Sequence, residues 1–119
     1  MKNMLRNVLT AGTIGLCTIA AHTAAKADVL RIAVVVADSA ADYANNAALL
    51  PTFAALLKKG AGVKEVYVGT DAAKMTIATT SVWANESDIA AVTGSAEWKA
   101  AAGKLKSKPF TTEVLQITP

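Results

Sequence analysis

Strand-like and helix-like segments alternate in one order after the first 28 residues of the chain. VLRIAVVVA (29–37) is rich in β-branched residues and almost entirely apolar, which is typical of a strand covered on both faces. A helix-like segment follows. VKEVYVGT (63–70) and KMTIATTSVW (74–83) come next, and their close spacing predicts a hairpin. A second helix-like segment precedes FTTEVLQIT (110–118). The predicted order is therefore βαββαβ.

The first helix is predicted between a polar start and a glycine stop. Ser39 offers an N-cap, and Gly60 follows the last apolar residues. Pro51 either kinks this helix or starts a second one. Asn45 and Asn46 are expected on its exposed side. The apolar side chains of the segment fall at helical spacing, and they are Leu49, Phe53, Leu56 and Leu57.

The second helical segment is predicted to break near its middle. Asn85 is its expected N-cap, whereas Gly94 and Ser95 interrupt it and offer a new cap. Pro109 ends the segment. The part after the break carries one apolar stripe at positions i, i+3, i+4 and i+7, formed by Trp98, Ala101, Ala102 and Leu105.

Two helical segments on one face of a four-stranded antiparallel sheet make a single α+β domain of the ferredoxin-like type. The other sheet face then needs a cover, because the first strand shows no alternation that would leave a polar side. A second sheet from a partner chain supplies such a cover, so a homodimer is predicted. The alternative is a monomer with a partly apolar sheet face.

The N-terminal segment has the layout of a secretory signal peptide. Lys2 and Arg6 precede an uncharged apolar run of about fourteen residues, Val8–Ala21, and the sequence Ala-Lys-Ala (25–27) matches a cleavage site. Cleavage is predicted after Ala27, which leaves a domain of residues 28–119 in the periplasm or outside the cell. The alternative is a membrane anchor, although the run is shorter than the roughly 20 residues of a spanning helix. No membrane association is expected after cleavage.

Cleavage changes the chemistry that the chain has available. Cys17 and His22, the only cysteine and histidine, leave with the signal peptide. Three of the twelve basic residues leave too, so nine basic residues face nine acidic ones. This balance gives no electrostatic reason to bind nucleic acid. Disulfides, thiolate nucleophiles, Ser-His-Asp triads and Cys or His metal ligands are excluded from the mature domain. No metal and no cofactor are predicted.

The hairpin and the second helical segment together resemble a known superfamily. The hairpin ends in Val82-Trp83, a polar step (84–87) and a short helix follow, and then comes GSAEWKA (94–100). Upstream, GVKEVYVGT (62–70) places a strand directly after a glycine. The sequence resembles the dimeric α+β barrel superfamily and is most similar to the antibiotic biosynthesis monooxygenase-like domains. The resemblance covers nearly all of the mature chain.

The resemblance implies a dimer with an apolar pocket between sheet and helices, but it allows several activities. The superfamily includes oxygenases, haem-degrading enzymes, isomerases and proteins of no known activity. Its haem-degrading branch uses a tryptophan and a histidine in the second helical segment, where this chain has Val92 and Ala102. That branch is therefore disfavoured. The cofactor-independent oxygenase branch acts on polycyclic phenolic substrates.

Four residues are predicted to contact a small-molecule ligand. Trp83 matches the third-strand tryptophan of the oxygenase branch, although core filling or a dimer contact is the alternative. Tyr67 on the facing strand can donate a hydrogen bond. Arg31 can pair with an anionic substrate oxygen, although a position near the strand start that reaches solvent is the favoured alternative. Met75 is placed on the same side of its strand as Trp83. Trp98 is expected to be a packing residue.

Two functions remain open at this point. The first is an exported homodimer with an apolar small-molecule pocket, acting as a cofactor-independent monooxygenase or isomerase of phenolic compounds. The second is a non-catalytic binding or scaffold dimer whose core is filled by its own side chains. Cavity volume separates them, because pockets for such ligands measure about 300 Å³ or more.

Overall fold

The computed structural model describes residues 27–106 and 110–118. The predicted signal peptide lies, apart from Ala27, outside the described residues. The strands are β1 (Val29–Val36), β2 (Val63–Asp71), β3 (Thr76–Trp83) and β4 (Thr111–Gln116), and the helices are α1 (Ala40–Lys58), α2 (Glu86–Thr93) and α3 (Ala96–Ala102).

The four strands form one antiparallel sheet in the order β2-β3-β1-β4. β1 lies between β3 and β4, so Arg31 of β1 is opposite Ser81 on one side and Val114 on the other. The three helices pack on one face of this sheet. The predicted α+β, ferredoxin-like architecture is confirmed.

Serine side chains cap the N-termini of α1 and α3, whereas Asn85 at the start of α2 makes no side-chain capping hydrogen bond. The Ser39 hydroxyl accepts a hydrogen bond from the backbone N–H of Asp42 at 3.1 Å, which starts α1. α1 then continues through Pro51, so no second helix begins there. The predicted break in the second helical segment is confirmed, because α2 ends at Thr93 and the Ser95 hydroxyl caps α3 by accepting from the N–H of Trp98.

Two apolar clusters hold the helices on the sheet. The first contains Val35, Leu50, Phe53, Ile77, Ala101 and Leu105. The second contains Val29, Leu57, Trp83 and Ile89. Trp98 of α3 is half-buried and packs against both clusters, so it joins them. The expectation that Trp98 contributes to packing is confirmed.

The sheet face opposite the helices, called the open face below, is largely apolar. The strand register and the alternation of side chains assign residues to it. Val36 is 52% exposed and Leu115 is 44% exposed on this face. No described helix covers it. Its apolar side chains are Leu30, Ile32, Val34, Val36, Tyr67, Val82 and Leu115.

The expectation that both asparagines of α1 are exposed is wrong for Asn46, which is 1% exposed. Its amide nitrogen donates to the carbonyl of Lys106 at 2.8 Å, and its amide oxygen accepts from the N–H of Lys106 at 2.8 Å. The side chain thereby satisfies both backbone groups of one residue, as a neighbouring strand would. This pair of hydrogen bonds holds the segment after α3 against α1.

Replacement of Asn46 with alanine is expected to lower the free energy of unfolding by about 2–3 kcal/mol, because two backbone groups at Lys106 lose their partner. Urea unfolding followed by circular dichroism measures this loss. Asn45→Ala is the matched control, since that side chain bonds only the carbonyl of Lys104 and the Asn46 oxygen. Equal losses in the two variants would contradict the assigned role of Asn46.

Gly60, just after α1, lies in tight contact with the second cluster. A Cβ atom at this position would lie 2.5 Å from the Trp83 ring and 2.9 Å from a Val92 methyl group. Gly60→Ala is therefore expected to destabilise the protein by about 1–3 kcal/mol through overpacking. Thermal unfolding measures the stability of Gly60→Ala. The control is Gly69→Ala in β2, where an added Cβ atom has no other atom within 4 Å. A Gly60→Ala variant as stable as Gly69→Ala would refute the tight contact.

Within the described residues, no helix is both long enough and apolar enough to cross a membrane.

Candidate functional site

A cavity of about 50 Å³ lies between the sheet and the helices, beside the first apolar cluster. Its walls come from β1, β3, α1, α3 and the segment that follows α3. Among the described residues that line it, Arg31 is the only ionisable side chain. These described lining residues are Arg31, Ala33, Val35, Phe53, Ile77, Ala78, Thr79, Trp98, Ala102, Leu105 and Phe110.

Arg31 reaches this cavity because of its place in β1. Side chains alternate along a strand, so Arg31 points to the same face as its neighbours Val29 and Val35, which are both core residues. β1 is a central strand, and the helices cover that face. The side chain of Arg31 is therefore only 5% exposed.

The guanidinium of Arg31 has few partners in the described part of the chain. One N–H donates to the Thr79 hydroxyl on β3 at 3.4 Å, which is long for a hydrogen bond. The guanidinium carbon lies 5.1 Å from the centroid of the Trp98 ring, a cation–π contact. No described carboxylate forms a salt bridge with it.

Burial lowers the pKa of Arg31 from its ordinary value, because desolvation disfavours the charged form. The ordinary pKa of a guanidinium is so high that the side chain keeps its charge at neutral pH. The cavity thus contains a permanent positive charge that the described protein groups compensate only in part. Such a charge favours an anion beside it.

The Trp98 ring forms a rigid wall of the cavity. It contacts Phe53 edge to face, with ring centroids 4.9 Å apart and an interplanar angle of 64°. Two neighbouring aromatic side chains on different helices thereby fix the ring that lies next to Arg31. The contact between Phe53 and Trp98 therefore fixes the shape of the cavity wall opposite the sheet in the absence of a ligand.

Of the four residues predicted to bind a ligand, only Arg31 lines the cavity. Trp83 is fully buried in the second cluster, where its indole N–H donates to the Ser81 hydroxyl at 2.8 Å. This arrangement corresponds to core filling, the alternative considered for Trp83. Trp83 does not line the cavity.

Tyr67 lies on the open face, away from the cavity. It is opposite Thr80 in the register, and its side chain is 60% exposed. Its hydroxyl donates to the carboxylate of Glu65, and this hydrogen bond raises the pKa of Tyr67. The side chain of Tyr67 therefore points away from the cavity of the same subunit.

The predicted strand position of Met75 is wrong, because β3 begins only at Thr76. Met75 lies in the turn between β2 and β3 with φ of 52°, a left-handed conformation that is uncommon for a residue with a side chain. Its N–H donates to the carbonyl of Ala72, and its carbonyl accepts from the N–H of Ala37. Met75 thus closes the hairpin turn and does not line the cavity.

Sequence reasoning missed the roles of Thr79 and Trp98 at the cavity. In the sequence, Thr79 stands in a run of hydroxyl residues (79–81) of the kind that is common in strands, and Trp98 belongs to an alanine-rich helical stripe. The useful signal in the sequence was Arg31, the single charged residue of β1. The side chains that lie on the same sheet face, within reach of its guanidinium, form the candidate site. Finding those neighbours requires the strand register and the helix position.

Comparisons with known proteins give the fold but no assigned activity. A scan of known protein families finds no match to the chain, and a search of curated proteins also finds none. Solved structures do match. Rv0793 from Mycobacterium tuberculosis is 16% identical, with a TM-score of 0.67 over 77% of this chain and 96% of that one.

Two further neighbours have names that state an activity. A candidate antibiotic biosynthesis monooxygenase from Deinococcus radiodurans is 17% identical, with a TM-score of 0.67 over 76% of this chain and 93% of that one. SnoaB, a cofactor-independent oxygenase from Streptomyces nogalater, is 11% identical, with a TM-score of 0.62 over 80% of this chain and 96% of that one. The chain shares the fold of these proteins.

Proposed function

We propose that this protein is an exported homodimer of monooxygenase-like fold that binds a small anionic molecule in the cavity beside Trp98. The observation that carries the proposal is Arg31, a buried guanidinium without a carboxylate partner in the described chain, facing an otherwise apolar cavity. Proteins rarely bury an uncompensated charge without use for it. The binding role is thus preferred over a core filled entirely by its own side chains.

The homodimer part of the proposal is supported by the open face. Its apolar side chains form a continuous row across β3, β1 and β4, for example Val82, Leu30 and Leu115. Contiguous exposed apolar surface of this kind is typical of protein interfaces. A second copy covers it with an identical sheet, and two-fold symmetry brings the same surface of both subunits together.

The cavity volume argues against a polycyclic phenolic ligand. The cavity measures about 50 Å³, whereas pockets for drug-sized molecules begin at about 300 Å³. A smaller ligand fits the subunit without moving the aromatic wall of Phe53 and Trp98. The proposed function is therefore binding of a compact ligand, and phenolic oxygenation is the second candidate.

Cofactor-independent oxygenation is favoured by the structural similarity to SnoaB, a cofactor-independent oxygenase. In such a reaction the substrate anion is the electron-rich species, and the charge of Arg31 would stabilise that anion. The lining residues that the structure describes include no carboxylate or histidine to act as a base, so the substrate must arrive as its own anion. Oxygen uptake with phenolic compounds tests this candidate, and the absence of uptake removes it.

The proposed function is tested by native mass spectrometry of the full chain expressed with export to a bacterial periplasm. The expected spectrum shows a dimer, a subunit mass that begins at Asp28, and an additional small-molecule mass bound to each subunit. A subunit that retains residues 1–27 would contradict the signal peptide. A monomer would contradict the homodimer.

The ligand part has its own control. Arg31→Met removes the positive charge but keeps an unbranched side chain of similar length, so the extra mass is expected to disappear. Lys64→Met is the matched control, because Lys64 is an exposed cation that pairs with Asp28 at 2.9 Å far from the cavity lining. Loss of the extra mass in both variants, or in neither, would contradict the assignment of the ligand to Arg31.

A further inference from the structure

We infer that the ligand of this cavity is a short-chain aliphatic monocarboxylate whose carboxylate group binds the guanidinium of Arg31. This inference rests on the proposed ligand-binding function and adds the chemical class of the ligand. Three features of the cavity lead to it: the unused donors of Arg31, the apolar remainder of the lining, and the small volume.

The donor geometry points to a planar anion. A guanidinium carries five N–H donors in a rigid fork, and in the described structure Arg31 uses one of them, on Thr79. The cation–π contact with Trp98 involves the charge and consumes no N–H. The remaining donors fit the two oxygens of a carboxylate, which accept a parallel pair of hydrogen bonds from such a fork.

The rest of the lining excludes highly charged anions. Apart from Arg31 and Thr79, the side chains around the cavity in the described part of the chain are aliphatic or aromatic, with Val35 and Ile77 on the sheet and Leu105 beyond α3. A phosphate or sulfate ion has more acceptor oxygens than these two polar residues can satisfy. A carboxylate with a hydrocarbon tail directs its charge to Arg31 and its tail to the apolar wall.

The volume limits the length of the tail. About 50 Å³ holds roughly three to five atoms of the size of water, at about 10–15 Å³ each. A short aliphatic chain attached to the carboxylate fills this space, whereas a benzene ring with its substituents exceeds it. The ligand class is therefore aliphatic and short: propionate, with about five non-hydrogen atoms, fits this volume, and butyrate, with about six, is at its upper limit.

The test is isothermal titration of the exported, mature homodimer with sodium butyrate at neutral pH in a buffer free of carboxylates. Butyrate is expected to bind at least about tenfold more tightly than butyramide, which has the same shape without the charge. Octanoate is expected to bind more weakly than butyrate because its hydrocarbon tail is too long for the cavity. Inorganic phosphate is expected to bind more weakly because it has more acceptor oxygens than Arg31 and Thr79 can satisfy. Butyramide or phosphate binding as tightly as butyrate would overturn the inference.

Variants at the cavity assign the binding to the named groups. Arg31→Lys keeps the charge and loses the fork, so butyrate affinity is expected to fall about tenfold. Arg31→Met is expected to abolish binding, and its unchanged or raised melting temperature would show that it folds. Butyrate affinity that survives Arg31→Met would overturn the inference.

A matched pair on β3 supplies the second control. Thr79→Val removes the hydroxyl next to Arg31, and a several-fold loss of butyrate affinity is expected. Thr80→Val is the same change one residue along the strand, on the open face, and no loss is expected. Equal affinities in the two variants would contradict the placement of the carboxylate beside Thr79.

The failure of this inference and of the proposed function are distinguishable. If butyrate does not bind but the mass spectrum shows another small molecule that depends on Arg31, the ligand class is wrong and the binding function stands. If butyrate does not bind and the spectrum shows no extra mass, both are wrong. Tryptophan fluorescence gives an independent reading of binding, because Trp98 contacts the cavity.

Discussion

Replacement of Trp83 with alanine is expected to lower the free energy of unfolding by about 3–5 kcal/mol. The indole ring is fully buried among Val29, Leu57 and Ile89, so its removal leaves a large void in the second cluster. Gly60 approaches the ring too closely for any larger residue, which indicates that the surrounding backbone fits this ring. A loss of this size approaches the total stability of a small domain, so much of the variant is expected to be unfolded at 37 °C.

Chemical unfolding followed by far-ultraviolet circular dichroism measures the effect, with two variants as controls. Trp83→Phe keeps an aromatic ring in the cluster and is expected to lose less than Trp83→Ala. Ser81→Ala removes only the acceptor of the indole N–H, for an expected loss of about 1–3 kcal/mol. A Trp83→Ala variant nearly as stable as the parent would show that the ring is not part of the core.

The second large effect is expected at the open face. Ile32 lies near the centre of that face, between Thr80 of β3 and Glu113 of β4. In the proposed homodimer a lysine at position 32 would be buried against the apolar partner sheet, beside Glu113 of the neighbouring strand. Two-fold symmetry buries two such lysines, and removing them from water costs several kcal/mol beyond what pairing with Glu113 returns, so the dimer dissociation constant is expected to rise about a thousandfold or more.

Sedimentation velocity over a range of protein concentrations measures this change. Ile32→Lys should sediment as a monomer and retain its circular dichroism, because in the monomer the lysine reaches water from the sheet surface. Ala100→Lys is the control, since Ala100 is exposed on α3, on the helical side of the molecule. An Ile32→Lys variant that stays dimeric would exclude the open face as the interface.

The order of elements was predictable because its signals are local. A run of β-branched residues, a serine before a helix and a glycine after one act within a few residues of themselves. β1, the cap at Ser39 and the break before Ser95 therefore appear in the structure close to their predicted positions. The ferredoxin-like topology followed from that order.

The face on which Tyr67 lies was not predictable from strand periodicity alone. The register between β2 and β3 shifts by one residue between Val63 and Glu65. Without that shift, continued pairing from Val63 would place Tyr67 opposite Thr79, on the face that contains the cavity. With it, Tyr67 is opposite Thr80 on the open face. A bulge of one residue moves every later side chain of the strand to the opposite face of the sheet. No local sequence motif predicts this bulge.

The sequence by itself determined which residue types the site can use and where the strands and helices begin. With the histidine and the cysteine confined to the predicted signal peptide, one arginine in an apolar strand was left as the notable charge. Only the tertiary structure decided its surroundings. Arg31, Thr79 and Trp98 are far apart in the chain, and their contact depends on strand register and on the packing of α3 against the sheet. These long-range arrangements depend on side chains from several elements being buried together. As a result, Trp83 at the end of β3 fills the core, whereas Trp98 in α3 contacts Arg31 at the cavity.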